Sequence, residues 1–566
     1  MLIARVRQVM ALAFVLFIAL SFPVHAEKIL KRGNGGEPYS LDPHRAVMTA
    51  ENNIIGDMLL GLYTEDANGM PILGAAESVE TSSDGLTWTF KIRKHNWSDG
   101  TPVTAHDFVY AYQRVLAPET AAEYASILYP LKNALAFNKG SVRKEKLGVS
   151  APDASTFVIT LEHAAPFLPQ LLTHYTTFPV PKSVVEKYGS EWTRAGKMVV
   201  NGPYVLKEWR PHDHILLVKN DKFYDAAHVK VDQVYYYPTD DDNTSLKRFR
   251  AGELDTQERW PTSEHKWLQV HIPTEANQIP QLTINYVSFN LKKKPFDDIR
   301  VRQALSMAID ADTLADNVLQ SAYGKAAYGF LPPGTVNVDN LAKVSWYGTS
   351  MDQRRQQARK LLQAAGFHEN NPLRFTYRFI NVPDVKKAAV ALQSMWSEVG
   401  VKAELQASEA KVHWNLLEVH DFQVAYNTWA LDYNDAKNFF FTFQVAAEQL
   451  NSSLYSSAEF ERYLDAADGE PDGAKRATLL GQAHALMLKD LPAVPLMFPY
   501  QRHLVKNYIL NWYDNPRDVN RTRWVDIGDK SLSKTSYEPD ADGDSGTWSW
   551  LTSWFSSEAW SNWWNS

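Results

Sequence analysis

Three short clusters have residue types that could bind a ligand or a metal ion. Residues 212–214 (HDH) offer two imidazoles and a carboxylate, but histidines two positions apart diverge on a helix, and this pair follows a proline in a predicted turn. Residues 240–243 (DDDN) lack the central glycine and terminal glutamate of a calcium-binding EF-hand loop, so a turn or a helix cap fits better. Residues 33–36 (GNGG) lack the spacing of a dinucleotide-binding fingerprint and predict a strand end or turn.

Longer catalytic signatures are missing from the sequence. It contains no GxSxG, HExxH, P-loop or GxGxxG pattern. Paired carboxylates of the glycosidase type are recognised by their separation, which a sequence does not give. The sequence therefore predicts no catalytic residue, no cofactor and no metal site.

The composition narrows the class of protein. The chain has 566 residues, 58 Lys plus Arg against 65 Asp plus Glu, a net charge of −7 and no cysteine. The lack of cysteine excludes disulfide scaffolds, iron–sulfur proteins and thiolate zinc modules. An acidic balance disfavours a protein that binds nucleic-acid phosphates. With 45% apolar and 22% charged residues, the chain is typical of a globular protein of two to four domains.

The N-terminal segment is typical of a signal peptide. Arg5 and Arg7 precede an apolar run over residues 10–22, and residues 24–26 (VHA) end in a small side chain before Glu27. This run is shorter than the ~20 residues that span a bilayer. We expect cleavage near Glu27 and a periplasmic protein that is not a lipoprotein, because no cysteine follows. An uncleaved anchor is the alternative.

Strand and helix patterns interleave along the chain, which predicts an α/β or mixed α+β fold. Residues 87–92 alternate as in a strand, whereas residues 104–116 have helical periodicity with a capping pair, Thr104 and Asp107. Residues 298–309 form a second predicted helix. Another predicted helix covers residues 354–365, with Gly366 after its end, and short strands are expected at residues 157–161, 215–218, 231–237 and 422–426.

Several longer segments together resemble one family. They are LDPHR at 41–45, GDMLLGLY at 56–63, WTFKIRKHNWSDGTPVTAHDFV at 88–109, NGPYVLKEW at 201–209, NDKFYD at 220–225, FNLKKKPFDDIRVRQALSMAID at 289–310 and LDYND at 431–435. In order and spacing, the chain is similar to the periplasmic oligopeptide-binding proteins, the solute receptors of bacterial ABC peptide importers. The resemblance runs from about residue 27 to about residue 526.

The resemblance implies a bilobal clamp of the large, three-domain periplasmic-binding-protein type. Its first domain would comprise residues 27–59, 184–283 and 500–533, its second residues 60–183 and its third residues 284–499. Two chain crossings, near residues 283 and 499, would form the hinge, a known closure device.

A receptor for varied peptides must hold what all peptides share: the backbone amides, the α-ammonium and the carboxylate. By resemblance, Asp432 would bind the ligand ammonium, and an ordinary turn aspartate is the alternative. Trp429 and Tyr124 would line the pocket, with core packing as their alternative, while Val47 and Thr49 would offer backbone groups. The predicted ligand-binding residues are Val47, Thr49, Tyr124, Tyr426, Thr428, Trp429, Ala430 and Asp432.

The chain departs from the family at the other end of the ligand. Tyr426 stands at the position where these family members have the arginine that binds the ligand carboxylate. Val385 stands in place of a histidine that assists ligand binding elsewhere in the family, and Ala410 stands in place of a second pocket tryptophan. We therefore hypothesise longer peptides whose C-terminus exits elsewhere, or an atypical ligand such as a cell-wall (murein) peptide.

The partners implied are a peptide and an inner-membrane ABC permease, with no nucleic acid, and a monomer is expected. A periplasmic peptidase and a chaperone-like protein are the competing classes. Residues 534–566 lie outside the resemblance and combine an acidic linker with six tryptophans among residues 547–566. Tryptophan favours membrane interfaces, but this segment lacks the usual Lys or Arg, so weak membrane or partner association competes with a disordered or self-packed tail.

Overall fold

A computed structural model describes residues 27–339, 341–470 and 472–530. The predicted signal peptide at residues 1–26 and the tryptophan-rich tail lie outside the described residues. Within these ranges, no helix combines the length and the apolar character that crossing a membrane requires.

The described chain forms twenty strands. They are β1 (Ile29–Gly33), β2 (Tyr63–Glu65), β3 (Pro71–Leu73), β4 (Ala76–Thr81), β5 (Thr87–Ile92), β6 (Val149–Asp153), β7 (Thr156–Thr160), β8 (Tyr204–Arg210), β9 (His214–Lys219), β10 (Gln233–Tyr237), β11 (Thr256–Gln257), β12 (Ala276–Pro280), β13 (Thr283–Phe289), β14 (Gly324–Ala326), β15 (Arg374–Ile380), β16 (Lys402–Ser408), β17 (Val424–Ala430), β18 (Ala493–Val505), β19 (Ile509–Leu510) and β20 (Asp526–Ile527).

Helices cover the strands and connect them. The α-helices are Thr49–Met58, Ala105–Leu116, Ala134–Asn138, Leu168–Leu171, Lys182–Tyr188, Asp242–Arg250, His265–His271, Ile299–Met307, Ala311–Thr313, Met351–Ala364, Pro383–Ser397, Ala410–Glu418, Ala436–Phe441, Ala458–Asp468 and Gly473–Asp490. The mixture of helices with parallel and antiparallel strand pairs confirms the predicted mixed α+β class.

One large sheet of twelve strands has the order β16-β15-β17-β13-β18-β11-β1-β10-β9-β8, with β12 and β14 also paired to β18. The long strand β18 pairs through its first residues with β13 and through its last residues with β12 and β11. β12 and β13 follow each other in the chain, and both pair with β18. The β12–β13 segment and strand β18 therefore run side by side from one half of this sheet to the other.

A separate four-stranded sheet, β4-β5-β7-β6, packs against the helix Ala105–Leu116. Thr104 caps that helix as predicted, and the Asp107 carboxylate accepts a hydrogen bond from the Thr104 backbone N–H at 2.7 Å. The predicted strand at residues 87–92 is β5, and Phe90 on its buried face contacts Phe157 of β7.

Most local predictions hold, and their boundaries shift for identifiable reasons. The helix predicted over 354–365 begins at Met351, because Ser350 caps it by accepting from the Gln353 N–H. The acidic cluster at 240–243 is a helix cap, since Asp241 accepts from the Thr244 N–H. The strand predicted over 422–426 is β17, which begins later and continues to Ala430. The HDH cluster lies at the turn before β9.

Candidate functional site

The site is built around one partly open strand edge. Strand β17 pairs with β13 along its whole length, from Val424↔Phe289 to Ala430↔Thr283. On its other side it pairs with β15 only at Val424 and Ala425. Among the described residues, the segment from Tyr426 to Ala430, here called the open edge, therefore has a strand neighbour on one side only. An open edge of this kind can accept an extended peptide as an added strand.

The groups along this edge are partly satisfied within the protein. The His413 imidazole lies 2.9 Å from the Tyr426 carbonyl oxygen, to which it donates, and the Thr428 N–H donates to the Asn427 side chain at 2.8 Å. Ala430 is exposed. Its backbone, at the end of the strand, is the part of the edge most accessible to a ligand.

Asp432 follows the open edge by two residues and is held by one buried amide. The Asn438 side chain donates to the Asp432 carboxylate and accepts from its backbone N–H, both at 3.1 Å. The same Asn438 oxygen accepts from the Trp429 indole N–H at 3.1 Å. Asn438 lies on the helix Ala436–Phe441, which Asp435 caps. Asn438, which the sequence analysis did not identify, thus holds both Asp432 and Trp429 in place.

The Asp432 carboxylate lies in an environment suited to a cation. Burial raises its pKa to about 6, although the Asn438 hydrogen bond and the charge of Arg517 oppose the rise. Arg517 itself donates to the Asp432 carbonyl oxygen at 3.1 Å. Within the described ranges, no ion pair involves this carboxylate. An incoming ammonium would supply the missing counter-charge.

Aromatic side chains from the first half of the chain face this carboxylate. The half-buried ring of Tyr124 lies 5.2 Å from His174 and 6.4 Å from Tyr175. Burial, and next the charge of Asp432, raise the pKa of the Tyr124 hydroxyl. Trp429 is half-buried and packs on the apolar cluster of the second half, so its indole combines a core face with an accessible one.

The predicted backbone contacts at Val47 and Thr49 lie beside a fully buried glutamate. Glu51 accepts from the N–H groups of Tyr39, Ser40, Val47 and Met48 at 2.6–3.0 Å. The Val47 N–H is therefore already hydrogen-bonded within the protein, and its carbonyl oxygen is the backbone group left to bind a ligand. Thr49 is exposed at the first position of its helix.

The far end of the open edge carries no charge of its own. Tyr426 is buried, and its hydroxyl approaches those of Tyr323 and Thr428. The Thr428 hydroxyl donates to the Asn285 side chain at 2.7 Å, and Asn285 donates to the Tyr323 hydroxyl at 3.0 Å. These groups form a neutral network of hydroxyls and one amide.

The two other replaced family positions offer no charge either. Val385 is buried in the apolar core, and Ala410 is exposed at the start of its helix. Two cations lie near this end. The half-buried Arg378 of β15 is in register with Ala425, and its charge helps to lower the pKa of His413 after the larger effect of burial. The buried Arg502 guanidinium lies 5.6 Å from the Tyr323 ring.

Comparison with known proteins identifies the family. The family model described as "Bacterial extracellular solute-binding proteins, family 5 Middle" matches residues 71–451. The chain belongs to this family. It is 36% identical over 489 residues to the periplasmic oligopeptide-binding protein OppA of Salmonella typhimurium, covering 85% of this chain and 89% of the relative.

Solved structures of this family share the fold. The Haemophilus influenzae OppA complex with RPPGFSPFR superposes with a TM-score of 0.80 at 31% identity, covering 89% of this chain and 99% of that one. The Escherichia coli murein tripeptide binding protein MppA gives 0.81 at 32% identity, with the same coverage. Its unliganded open form gives only 0.72. The predicted periplasmic-binding-protein fold is thus confirmed, and family membership places the protein in the periplasm or outside the cell.

Proposed function

We propose that this protein is the substrate-binding component of an ABC importer and that it binds peptides between two lobes. The observation that carries the proposal is the Asp432 carboxylate, which makes no ion pair within the described residues and lies at the end of the open edge. An ammonium and an extended backbone are the two features that all peptides have in common, and this arrangement complements both.

In the proposed complex, the peptide ammonium pairs with Asp432 and the peptide backbone extends along the open edge toward Tyr426. Backbone groups of Thr428, Ala430 and Val47 would complete the pairing, with Thr49 beside them. Trp429 and Tyr124 would enclose the first ligand side chains. Because the contacts to the peptide use its backbone, many side-chain sequences would be accepted.

The domain division proposed from the resemblance gives the clamp its moving parts. Residues 60–183 would form one lobe tip and residues 284–499 the other lobe, joined to the remaining segments at residues 283 and 499. Contacts between these ranges support a closed arrangement. Phe167 stacks on Tyr433 with ring centres 4.7 Å apart, and Lys139 pairs with Glu448 at 2.8 Å.

The proposals about export, oligomeric state and the permease rest on the same resemblance to the family. We infer export through a cleaved signal at residues 1–26 without lipid attachment, a monomeric receptor and delivery to an inner-membrane permease. We infer binding rather than catalysis, because the site presents one carboxylate and backbone groups without a nucleophile–base pair. Weak membrane association through residues 547–566 remains a separate proposal.

A murein peptide is the alternative ligand within this class. It is suggested by the neutral Tyr426 end of the open edge and by the similarity to MppA, whose name records a murein tripeptide. A peptidase or a chaperone-like protein is the alternative from another class, and turnover of a peptide by the purified protein would favour the peptidase.

A ladder of alanine peptides from two to six residues tests the proposal. Isothermal titration calorimetry should show binding of unblocked peptides, with affinity rising until the open edge is filled. Small-angle scattering should show a smaller radius of gyration with ligand, because only a ligand that prefers the closed form can drive closure. Absence of binding across the ladder and for a murein tripeptide would overturn peptide recognition.

A further inference from the structure

A second polar cluster lies away from the peptide site, beside the two chain crossings of the large sheet. It comprises Glu258 after β11, His503 on β18 and Asp518 near the C-terminal end of the described chain. One ligand atom from each of these residues lies within 4.8 Å of the other two. The proposed peptide site uses none of them.

Two distances in this cluster are close to those between two ligands of one metal ion. The His503 Nε2 atom is 3.2 Å from Asp518 Oδ1 and 3.7 Å from Glu258 Oε2. Charge-assisted N–H···O⁻ hydrogen bonds are shorter, about 2.7–2.9 Å. Ligands of a tetrahedral zinc ion, bound at 2.0–2.2 Å, are separated by about 3.3–3.5 Å.

The other ring nitrogen of His503 is hydrogen-bonded to a carboxylate, as is usual for metal-binding histidines. His503 Nδ1 donates to Asp514 Oδ1 at 2.7 Å, and the Trp512 indole N–H donates to the same oxygen at 3.0 Å. A carboxylate on Nδ1 fixes the ring orientation and directs Nε2 toward the metal. Asn53 donates to Glu258 at 3.2 Å and Gln281 to Asp518 at 3.2 Å, which orients both carboxylates.

A buried amide lies directly beside His503 in this cluster. Gln501 is 3% exposed, and its amide nitrogen lies 2.7 Å from His503 Nε2. Its amide oxygen is buried without a hydrogen-bond partner. A half rotation of the amide would place this oxygen 2.7 Å from Nε2, at hydrogen-bond distance from the ring.

The local charge also calls for a cation. The three carboxylates Glu258, Asp514 and Asp518 face the cluster, while Arg32 lies 3.8 Å from Glu258 and the exposed Arg259 is farther out. A divalent ion with a neutral imidazole would balance the three carboxylates together with Arg32.

We infer that Glu258, His503 and Asp518 form a binding site for one divalent transition-metal ion of the zinc class. The site would tie the segment after β11, strand β18 and the C-terminal segment together next to the crossings.

The test uses the mature chain from residue 27 to residue 566, stripped with EDTA and titrated calorimetrically with Zn²⁺ alone. We expect one ion per chain and a higher melting temperature with Zn²⁺ than without it. Asp518→Asn and Glu258→Gln should each weaken binding more than 100-fold. Asp514→Asn should weaken it 10- to 100-fold, as expected for an outer-shell carboxylate.

His228→Gln is the matched control, because His228 and Asp225 form an exposed histidine–aspartate pair elsewhere on the surface. It should leave the stoichiometric site unchanged. Circular dichroism and alanine-peptide binding verify that each variant is folded. Failure of the wild type to bind Zn²⁺ stoichiometrically would overturn the inference, as would retained affinity in both Asp518→Asn and Glu258→Gln or an equal loss in His228→Gln.

Discussion

The open edge of β17 ends near Asp432 on one side and at Tyr426 on the other, and the two ends present different chemistry. At the first end, a carboxylate without a counter-ion among the described residues is held in place by Asn438. At the second end, hydroxyls and one amide satisfy one another. The comparison teaches that charge can anchor one ligand terminus while neutral groups leave the other unspecified.

The largest effect should come from removing the charged end. We expect Asp432→Asn to weaken binding of short alanine peptides at least 100-fold, because removing one partner of a buried ion pair costs about 3–5 kcal/mol. Calorimetry measures this loss. The control is Asp421→Asn, an exposed aspartate whose pair with Lys293 is also exposed and which should change affinity less than twofold. A similar loss in both variants would contradict the assignment.

The same substitution should affect the free protein in the opposite direction. The folded pKa of Asp432 lies above its unfolded value, so its ionisation destabilises the unliganded protein as pH rises from about 4 to 6. At pH 7, Asp432→Asn should raise the free energy of unfolding by about 1–2 kcal/mol. A melting temperature below that of the wild type would contradict this expectation.

Loss of the positioning amide should be the next largest effect. Asn438→Ala removes the hydrogen bonds that hold the Asp432 carboxylate and the Trp429 indole, so we expect peptide affinity to fall about 10- to 30-fold. Asn434→Ala is a matched control on the same segment, because Asn434 bonds only to the backbone near residues 334–336. Equal losses in the two variants would argue for a general effect on folding.

Acidification should weaken binding by a similar factor. The peptide ammonium stays protonated below pH 7, whereas Asp432 becomes neutral as pH falls through about 6. Affinity should therefore be highest near pH 7 and about tenfold lower at pH 5. Titrations from pH 5 to 8 measure this change, and Asp432→Asn should flatten the profile. A wild-type profile that is flat would show that ionised Asp432 is not the anchor.

A smaller effect is expected from the contact that closes the lobes. Phe167→Ala removes the stacking on Tyr433 and the contact with Arg476, whose guanidinium lies 5.6 Å from the ring. Aromatic stacking contributes about 1 kcal/mol beyond burial, so affinity should fall about fivefold with less compaction in scattering. Phe137→Ala, on the same lobe tip, is the control. Unchanged affinity in Phe167→Ala would separate this contact from closure.

The smallest effect should come from the neutral end. Amidation of a peptide C-terminus removes its charge, and we expect less than a twofold change because Tyr426 and its neighbours make no ion pair there. Titration of amidated and free tetra-alanine measures the difference. A loss of tenfold or more would show a cation at this end, and Arg378 of β15 would then be the residue to substitute.

The sequence predicted the fold class and the position of Asp432 from segments that keep their order and spacing in the family. It placed the end of β17 too early, since the β-branched and aromatic residues Thr428 and Trp429 extend the strand. Asn438 and Glu51 were missed because an amide on a helix and a glutamate near a helix start are common. Their roles depend on which backbone groups the folded chain brings to them.

The zinc-class cluster shows the same limit more strongly. Glu258, His503 and Asp518 are separated by up to 260 positions in the chain, so no local spacing marks them. Only the pairing of β11 with β18 brings the first two together. Sequence patterns therefore identify sites formed within one segment better than sites assembled from several.

The most direct test of the central claim combines the substitution at Asp432 with a blocked ligand. Free and N-acetylated tri-alanine are titrated into the wild type and into Asp432→Asn at pH 7.5. We expect acetylation to weaken binding at least 100-fold in the wild type and less than threefold in the variant, because the two changes remove the same ion pair. Equal losses on acetylation in both proteins would contradict the account, since the peptide ammonium would then be bound elsewhere.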